Sequence, residues 1–349
     1  MPNDLNLARL TNLEVRLYRL ETKSHLRIGA GEGSADLAAA DLPIIRALLV
    51  TEAGEKRVPY IPASSLHGVI RAWVEKAKRS RTTALPAAQL RQLAPPGGEA
   101  FKQAEAEVKA FLGLRPEDPL QEADVYEHWQ VYSTVCNPLL DVDKCERISG
   151  RESESRRWKV NFLQAAGRTT PCEVCQVFGY MGQRGRVKIS NAFPATEQTP
   201  VDIITRVAIN RLTGAADEGK LFNLEAIPPG CVFYFFVIME NMSAAHKQDF
   251  EFGIRAINLQ LASLGAHSTV GFGMVELAQV LTADIKPAIF DQTLETILPT
   301  LLASADYRPR NDLHLDEEKY PQFFRALARV HTATGQPPVE QFGGQITFV

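Results

Sequence analysis

An α+β fold is predicted from three observations. Short alternating segments of strand character bracket two amphipathic helical stretches. With a long central region set aside, the order reads strand, helix, strands, strand, helix, strand. The run Val232–Met239 is continuously apolar, as a strand buried on both faces is. That order matches the split β-α-β motif of ferredoxin-like domains. The chain has 349 residues, 45% hydrophobic and 23% charged, so it is globular in composition and long enough for one large or two ordinary domains.

The elements follow in chain order. Residues 12–20 alternate, with Leu13, Val15 and Leu17 expected to face inward. A glycine-rich stretch opened by Arg27 follows, then an alanine-rich run ending at Asp41. Ser64 and Ser65 are good N-cap residues for a helix whose stripe is Leu66, Val69, Ile70, Trp73, Val74 and Ala77. His67, Arg71, Glu75 and Lys78 fall off that stripe and are expected to face solvent or a ligand. Residues 80–185 change in texture and read as an insertion without a core of its own. Strand character resumes over 186–191 and 203–209. Phe250, Ile254, Ile257, Leu261 and Leu264 then define a helix over 248–264, stopped by Gly265. A last strand covers 272–280, and 281–349 form an extension without a readable motif.

Formal net charge is −3, which excludes a globally basic nucleic-acid binder but not a local basic patch. Residues 144–190 contain ten Lys or Arg against four Glu, and Arg186 lies in this segment. The longest apolar run has eight residues, too few for a membrane span. Residues 1–5 carry no secretory pattern, so a cytoplasmic location and reduced thiols are expected.

Four of the five cysteines form two pairs, Cys136 with Cys145 and Cys172 with Cys175, the latter a CxxC. In a reducing compartment this pattern predicts a structural Cys₄ zinc site whose loss would unfold the insertion, with His128 as an alternative ligand. Cys231 opens an apolar strand and reads as core. Of two glycine loops, 29–33 and 264–273, the first lacks the spacing of a dinucleotide site. Each lies beside a helix. Glycine there would let a nucleic-acid backbone approach, with phosphate at the N–H groups of the helix opened by Ser64 and Ser65.

Four segments carry a resemblance: YIPASSLHGVIRA, CEVCQVFGYMGQRGRVKISNAFP, INRLTGAADEGKLFNLEAIPPGCVF and LGAHSTVGFGMV. They resemble signature blocks of the RAMP superfamily, in the family's order, over most of residues 12–280. More narrowly, they are similar to the repeated backbone subunit of type III CRISPR effectors. The insertion and cysteine quartet are similar to the zinc-bearing subunits of types III-D and III-E.

The resemblance implies an RRM-related palm over 1–280 that binds guide CRISPR RNA among other subunits of a complex, paired to target RNA. It also implies a thumb hairpin within 210–226 carrying Arg211. The family's S-S-L-x-G matches Ser64, Ser65, Leu66 and Gly68. A target-cutting aspartate, assisted by Mg²⁺, would be Asp41, with Asp36 less well placed. The second glycine loop has Val270 where the family carries a basic residue, which leaves His267 to supply a phosphate contact. With Arg27, His67, Arg71 and Arg186, these are the expected RNA contacts. Two other readings stand beside this one: a purely structural RNA-binding subunit, or a guide-processing endoribonuclease using His25 or His67 as base.

Overall fold

The structure is a computed structural model. It describes residues 10–29, 40–51, 54–129, 131–132, 134–136, 145, 157–167, 171–180, 183–196, 198–285 and 346–348. Asp36, most of the first glycine loop, nearly all of 281–349, and Lys144, Arg147, Arg151, Arg156 and Arg168 of the basic segment lie outside these residues.

The chain divides into two compact units. The first comprises residues 1–70, 187–243 and 251–349; the second comprises 71–186 and 244–250. The first unit holds strands β1 (Leu13–Thr22), β2 (Arg46–Thr51), β3 (Gly54–Pro59), β4 (Val187–Ile189), β5 (Phe193–Pro194), β6 (Asp202–Ile209), β7 (Ala216–Ala226), β8 (Val232–Glu240), β9 (Val275–Ile285) and β10 (Ile346–Phe348). The second holds helices α2 (Ala87–Leu93), α3 (Glu99–Phe111), α4 (Glu122–His128), α5 (Arg157–Ala165) and α6 (Glu173–Phe178). The division falls within α1 (Ala63–Arg81) and α7 (Ala244–Asn258).

The main sheet runs β10-β9-β1-β8-β4, with β5 also on β8, and every pairing in it is antiparallel. β2–β3 and β6–β7 are separate hairpins. The chain is therefore mixed α and β with antiparallel sheets.

The interior of β8 is aromatic and β-branched, Phe233 to Val237 being buried throughout. β1 buries most deeply the face opposite the one that alternation indicated: Leu13 and Val15 are only half-buried, and of their face only Leu17 is buried. Leu17 packs with Tyr234 and Phe236 on one face. On the other face Glu14, Arg16, Tyr18, Leu20 and Thr22 are buried. Tyr18 stacks on Phe235 at 5.3 Å, while Arg16 pairs with both Glu14 and Glu251. Ionic pairing is what makes buried charge tolerable at these positions. Burial pushes the Tyr18 phenol up to about 12.

The second predicted helix starts earlier and stops earlier than expected, at Asn258. The Asn258 amide bonds both ways to the Leu277 backbone, at 2.8 and 2.7 Å, and the Gln260 amide donates to Val275 O at 3.1 Å. Gln260 is left-handed, with φ 59°, so Leu261 falls beyond the helix and is 59% exposed.

The insertion does carry its own core. Leu90, Phe101, Ala104, Val108, Val125, Trp129, Phe162 and Leu163 are among the buried residues of one cluster, and Trp129 stacks on Phe162 at 5.0 Å. The apolar stripes of four short helices supply it. Each is polar enough on its outer face to read as surface when considered alone.

Candidate nucleic-acid interface and metal centre

After β1 the chain enters a three-way backbone seam in the first unit. Gly273 N donates to His25 O at 2.8 Å and Ala266 N to Arg27 O at 2.8 Å. On the other side Leu26 and Ile227 exchange hydrogen bonds of 2.8 Å. Glycine is required here by packing. A Cβ at Gly265 (φ 76°) would lie 2.2 Å from Arg27 O, and one at Gly273 (φ 82°) 2.0 Å from Leu264 O. The second glycine loop therefore serves close approach of the protein's own backbone at these two positions.

The seam gathers His25 and His267 with Arg206 of β6 around Phe272, and Arg27 lies close enough to act on His267. The Arg206 guanidinium lies over the Phe272 ring at 4.7 Å, and the His25 and His267 rings lie 5.7 and 5.8 Å from it. Arg27 and Arg206 are both half-buried, and the buried Nε of each has no hydrogen-bond partner. Burial lowers the Arg27 pKa. Burial, together with the Arg27 and Arg206 charges, holds His267 below its ordinary value, so it is neutral near pH 7. His25 Nε2 lies 3.1 Å from Asp202 Oδ2. Two guanidinium charges that both act on His267, each with an unmet Nε, make this face favourable to an anion. Arg206 was absent from the sequence expectations, because nothing in DIITRVAI distinguishes its arginine from any surface one.

Asp41 lies at the flank of hairpin β6–β7. Its Oδ2 accepts the Asn223 N–H at 2.8 Å, and it is exposed. Leu42 N donates to Asn223 O, and Glu225 N to Leu42 O, each at 3.1 Å. Leu42 then packs with Ile204, Phe222, Leu224 and Phe272. One apolar cluster thus lies under both Asp41 and the arginine site. The aspartate's other oxygen has no described partner, and a single open carboxylate oxygen is a suitable ligand for a hydrated Mg²⁺.

Buried Glu225 anchors this segment. It accepts Ile44 N–H at 3.0 Å and both Arg46 terminal nitrogens at 2.8 and 3.0 Å. Burial alone would raise its pKa, but the Arg46 and Ile44 bonds outweigh that and hold the carboxyl below its ordinary value. Its stabilising contribution is therefore present above the unfolded-state pKa and is lost as pH falls through the folded one. Glu225→Gln should cost about 1.5–3 kcal/mol, as for hydrogen bonds to charged groups. Thermal melts against pH check this: the difference between variant and parent should be full at neutral pH and shrink in acid.

The other expected RNA contacts fall elsewhere. Helix α1 begins at Ala63, whose N–H donates to Asn191 Oδ1 at 2.8 Å, so Ser64 and Ser65 lie within the first turn and do not cap it. His67 is half-buried on α1. Arg211 is exposed at the tip of the β6–β7 hairpin, where the Asn210 side chain accepts Leu212 and Thr213 N–H at 2.9 and 3.2 Å. Arg186 is 4% exposed, and such burial leaves no surface for a phosphate. Lys188 pairs with Glu240.

Arg71 differs most from expectation. In the second unit its Nε donates to Glu75 at 2.8 Å, Nη1 to Gly179 O at 2.8 Å, and Nη2 to Cys175 Sγ at 3.5 Å. Glu75, expected to face solvent or a ligand, is 6% exposed. Lys78 pairs with Glu173 at 2.6 Å and Asp249 at 2.9 Å.

Cys136, Cys145, Cys172 and Cys175 are all buried, with their sulfurs within 4.8 Å of one another. Cys136 and Cys175 sulfurs are 3.7 Å apart. A metal about 2.3 Å from each of four tetrahedral sulfurs sets them about 3.8 Å apart. Cys172 N–H also donates to Cys145 Sγ at 3.2 Å. Hydrogen bonds among the sulfurs hold Cys136, Cys145 and Cys172 below the ordinary thiol range and push Cys175 far above it. Four thiolates cannot share this space without a cation to offset their repulsion, and these residues could hold one metal ion. His128 is not among them: it is exposed, and its Nδ1 lies 2.8 Å from Asp124 O. Cys231 is buried at the start of β8, as expected of core.

No described helix is long and apolar enough to cross a membrane. A family model described as RAMP superfamily matches residues 19–276. No curated protein matches the chain.

Proposed function

Because the chain belongs to the RAMP superfamily, we propose that it is the guide-RNA-binding backbone subunit of a type III CRISPR effector complex. Family membership supports a CRISPR-associated RNA-binding subunit with RNA and protein partners. The observation that carries the finer reading is the Arg27–Arg206 pair, two half-buried guanidinium groups that lack an acceptor at Nε. A guide backbone phosphate would be drawn by the two charges and would meet their terminal nitrogens, the Nε atoms themselves being buried. The sheet order β9-β1-β8-β4, with α1 following β1 and α7 following β8, supports a ferredoxin-like palm. Hairpin β6–β7, with Arg211 at its tip, is the proposed thumb.

The second part of the proposal is cleavage of paired target RNA. RNA carries its own nucleophile, the ribose 2′-hydroxyl. The protein's part is to hold one nucleotide so that this hydroxyl, the phosphorus and the leaving 5′-oxygen are in line. The Asn223 N–H engages one Asp41 oxygen, which leaves the other as the candidate metal ligand. Mg²⁺ held there would supply positive charge for the phosphate oxygens. The products would be a 2′,3′-cyclic phosphate and a 5′-hydroxyl. The four cysteines are assigned to one structural zinc: a closed Cys₄ set leaves no coordination position for substrate.

The His25–Asp202 pair favours a second reading, metal-free processing of guide precursor with His25 as base. Cleavage that persists in EDTA would favour it.

The test of RNA binding is a salt titration of guide affinity. Arg27→Ala and Arg206→Ala should each weaken binding to guides of any sequence alike and lower the salt slope by about one. An unchanged slope in both variants places the backbone elsewhere.

A further inference from the structure

We propose that helix α1 carries the outer shell of the four-cysteine centre, with Arg71 as its key positioning residue. The inference rests on the zinc assignment above. Arg71, Glu75 and Arg79 recur every four residues and so form one row along α1. Arg71 reaches the CxxC half of the centre, donating to Cys175 Sγ at 3.5 Å and to Gly179 O, just past α6, at 2.8 Å. Arg79 reaches the other half, donating to Cys136 O at 3.3 Å. Glu75, 6% exposed, lies between them, 2.8 Å from Arg71 and 3.7 Å from Arg79. Lys78 adds a third cation, on Glu173 inside the CxxC itself, at 2.6 Å.

The charges explain the arrangement. Four thiolates around a divalent ion leave a net charge of about −2, which is costly in a buried site. Two guanidinium groups and the Glu75 carboxylate add a net +1 beside it and so offset about half. Glu75 holds them in place and keeps them from repelling each other. The two cysteine pairs come from segments distant in sequence, 136–145 and 172–175. The row on α1 bonds to both, so it fixes the spacing that the metal needs. A hydrogen bond to a thiolate also lowers its lone-pair energy, which tunes the bond to the metal.

The test uses the full chain as Arg71→Gln and Arg71→Lys, with zinc affinity measured by chelator competition and cobalt substituted for spectroscopy. Outer-shell partners are typically worth about 10–100-fold in metal affinity. Arg71→Gln should lose zinc affinity in that range and shift the thiolate-to-cobalt charge-transfer band to lower energy. Arg71→Lys should restore part of both, since it keeps the charge but cannot bridge three acceptors. Unchanged affinity in Arg71→Gln overturns the inference. So does weakened affinity with an unmoved cobalt band, which is what a general loss of packing would give. A parent chain that binds no metal overturns the zinc assignment itself, and the inference with it.

Discussion

Asp41→Ala should lower cleavage of paired target RNA by about 10²–10³, the usual cost of removing an electrostatic or charge-positioning group. Guide binding should survive, because the arginine site is built from other residues. Asp41→Asn is the more informative variant. Its amide oxygen can still accept the Asn223 N–H, so the local bond at 2.8 Å need not be lost. Only the charge goes. An aspartate that merely ties residue 41 to β7 would therefore tolerate asparagine, whereas a metal-holding one would not. The measurement is a time course on labelled complementary RNA with the assembled complex, in Mg²⁺ and in EDTA. If the alanine variant cuts at the parental rate, Asp41 is only a structural contact. If the parent itself never cuts, the chain is a purely structural RNA-binding subunit.

Removal of the metal is the second large effect. Purified protein should contain about one zinc per chain, and Cys172→Ser with Cys175→Ser should lose it. Structural zinc contributes on the order of 10–16 kcal/mol in small zinc-folded peptides. Helix α6 has six residues, too few to persist without tertiary support. From the sequence, the whole insertion was expected to unfold. The structure narrows that expectation, because the buried cluster around Trp129 and Phe162 contains none of the four cysteines. Hydrogen exchange should therefore show protection lost over 171–180 while α3 and α4 keep theirs. The same exchange pattern in zinc-loaded and chelated protein would refute a structural metal.

Local chemistry decided much of this protein in advance. Periodicity placed α1, whose Leu66, Ile70 and Val74 are fully buried as their spacing indicated. Continuous apolar character placed β8. Cysteine chemistry picked out four cysteines, and the structure brings their sulfurs together where they could hold a metal. These are signals carried by neighbours in sequence, or by a residue type with few alternative uses.

Position in space decided the rest. Arg71, Arg186 and Arg206 are alike as sequence, each a cation on or beside a regular element. Folding sends the first to a cysteine sulfur, buries the second, and leaves the third over an aromatic ring with its Nε unmet. An arginine's role depends on which acceptors surround it, and those come from segments far along the chain. The glycines of 264–273 likewise suggested room for a ligand, but Gly265 and Gly273 make room for Arg27 and Leu264 carbonyls. Alternation in β1 could name two faces but not say which is the more deeply covered, since the covering elements lie elsewhere in sequence. Sequence by itself picked out the main elements and the four cysteines, because propensity, periodicity and thiol chemistry act locally. Only the tertiary structure decided which charges are paired and which are left without an acceptor, because pairing is settled by distance in space.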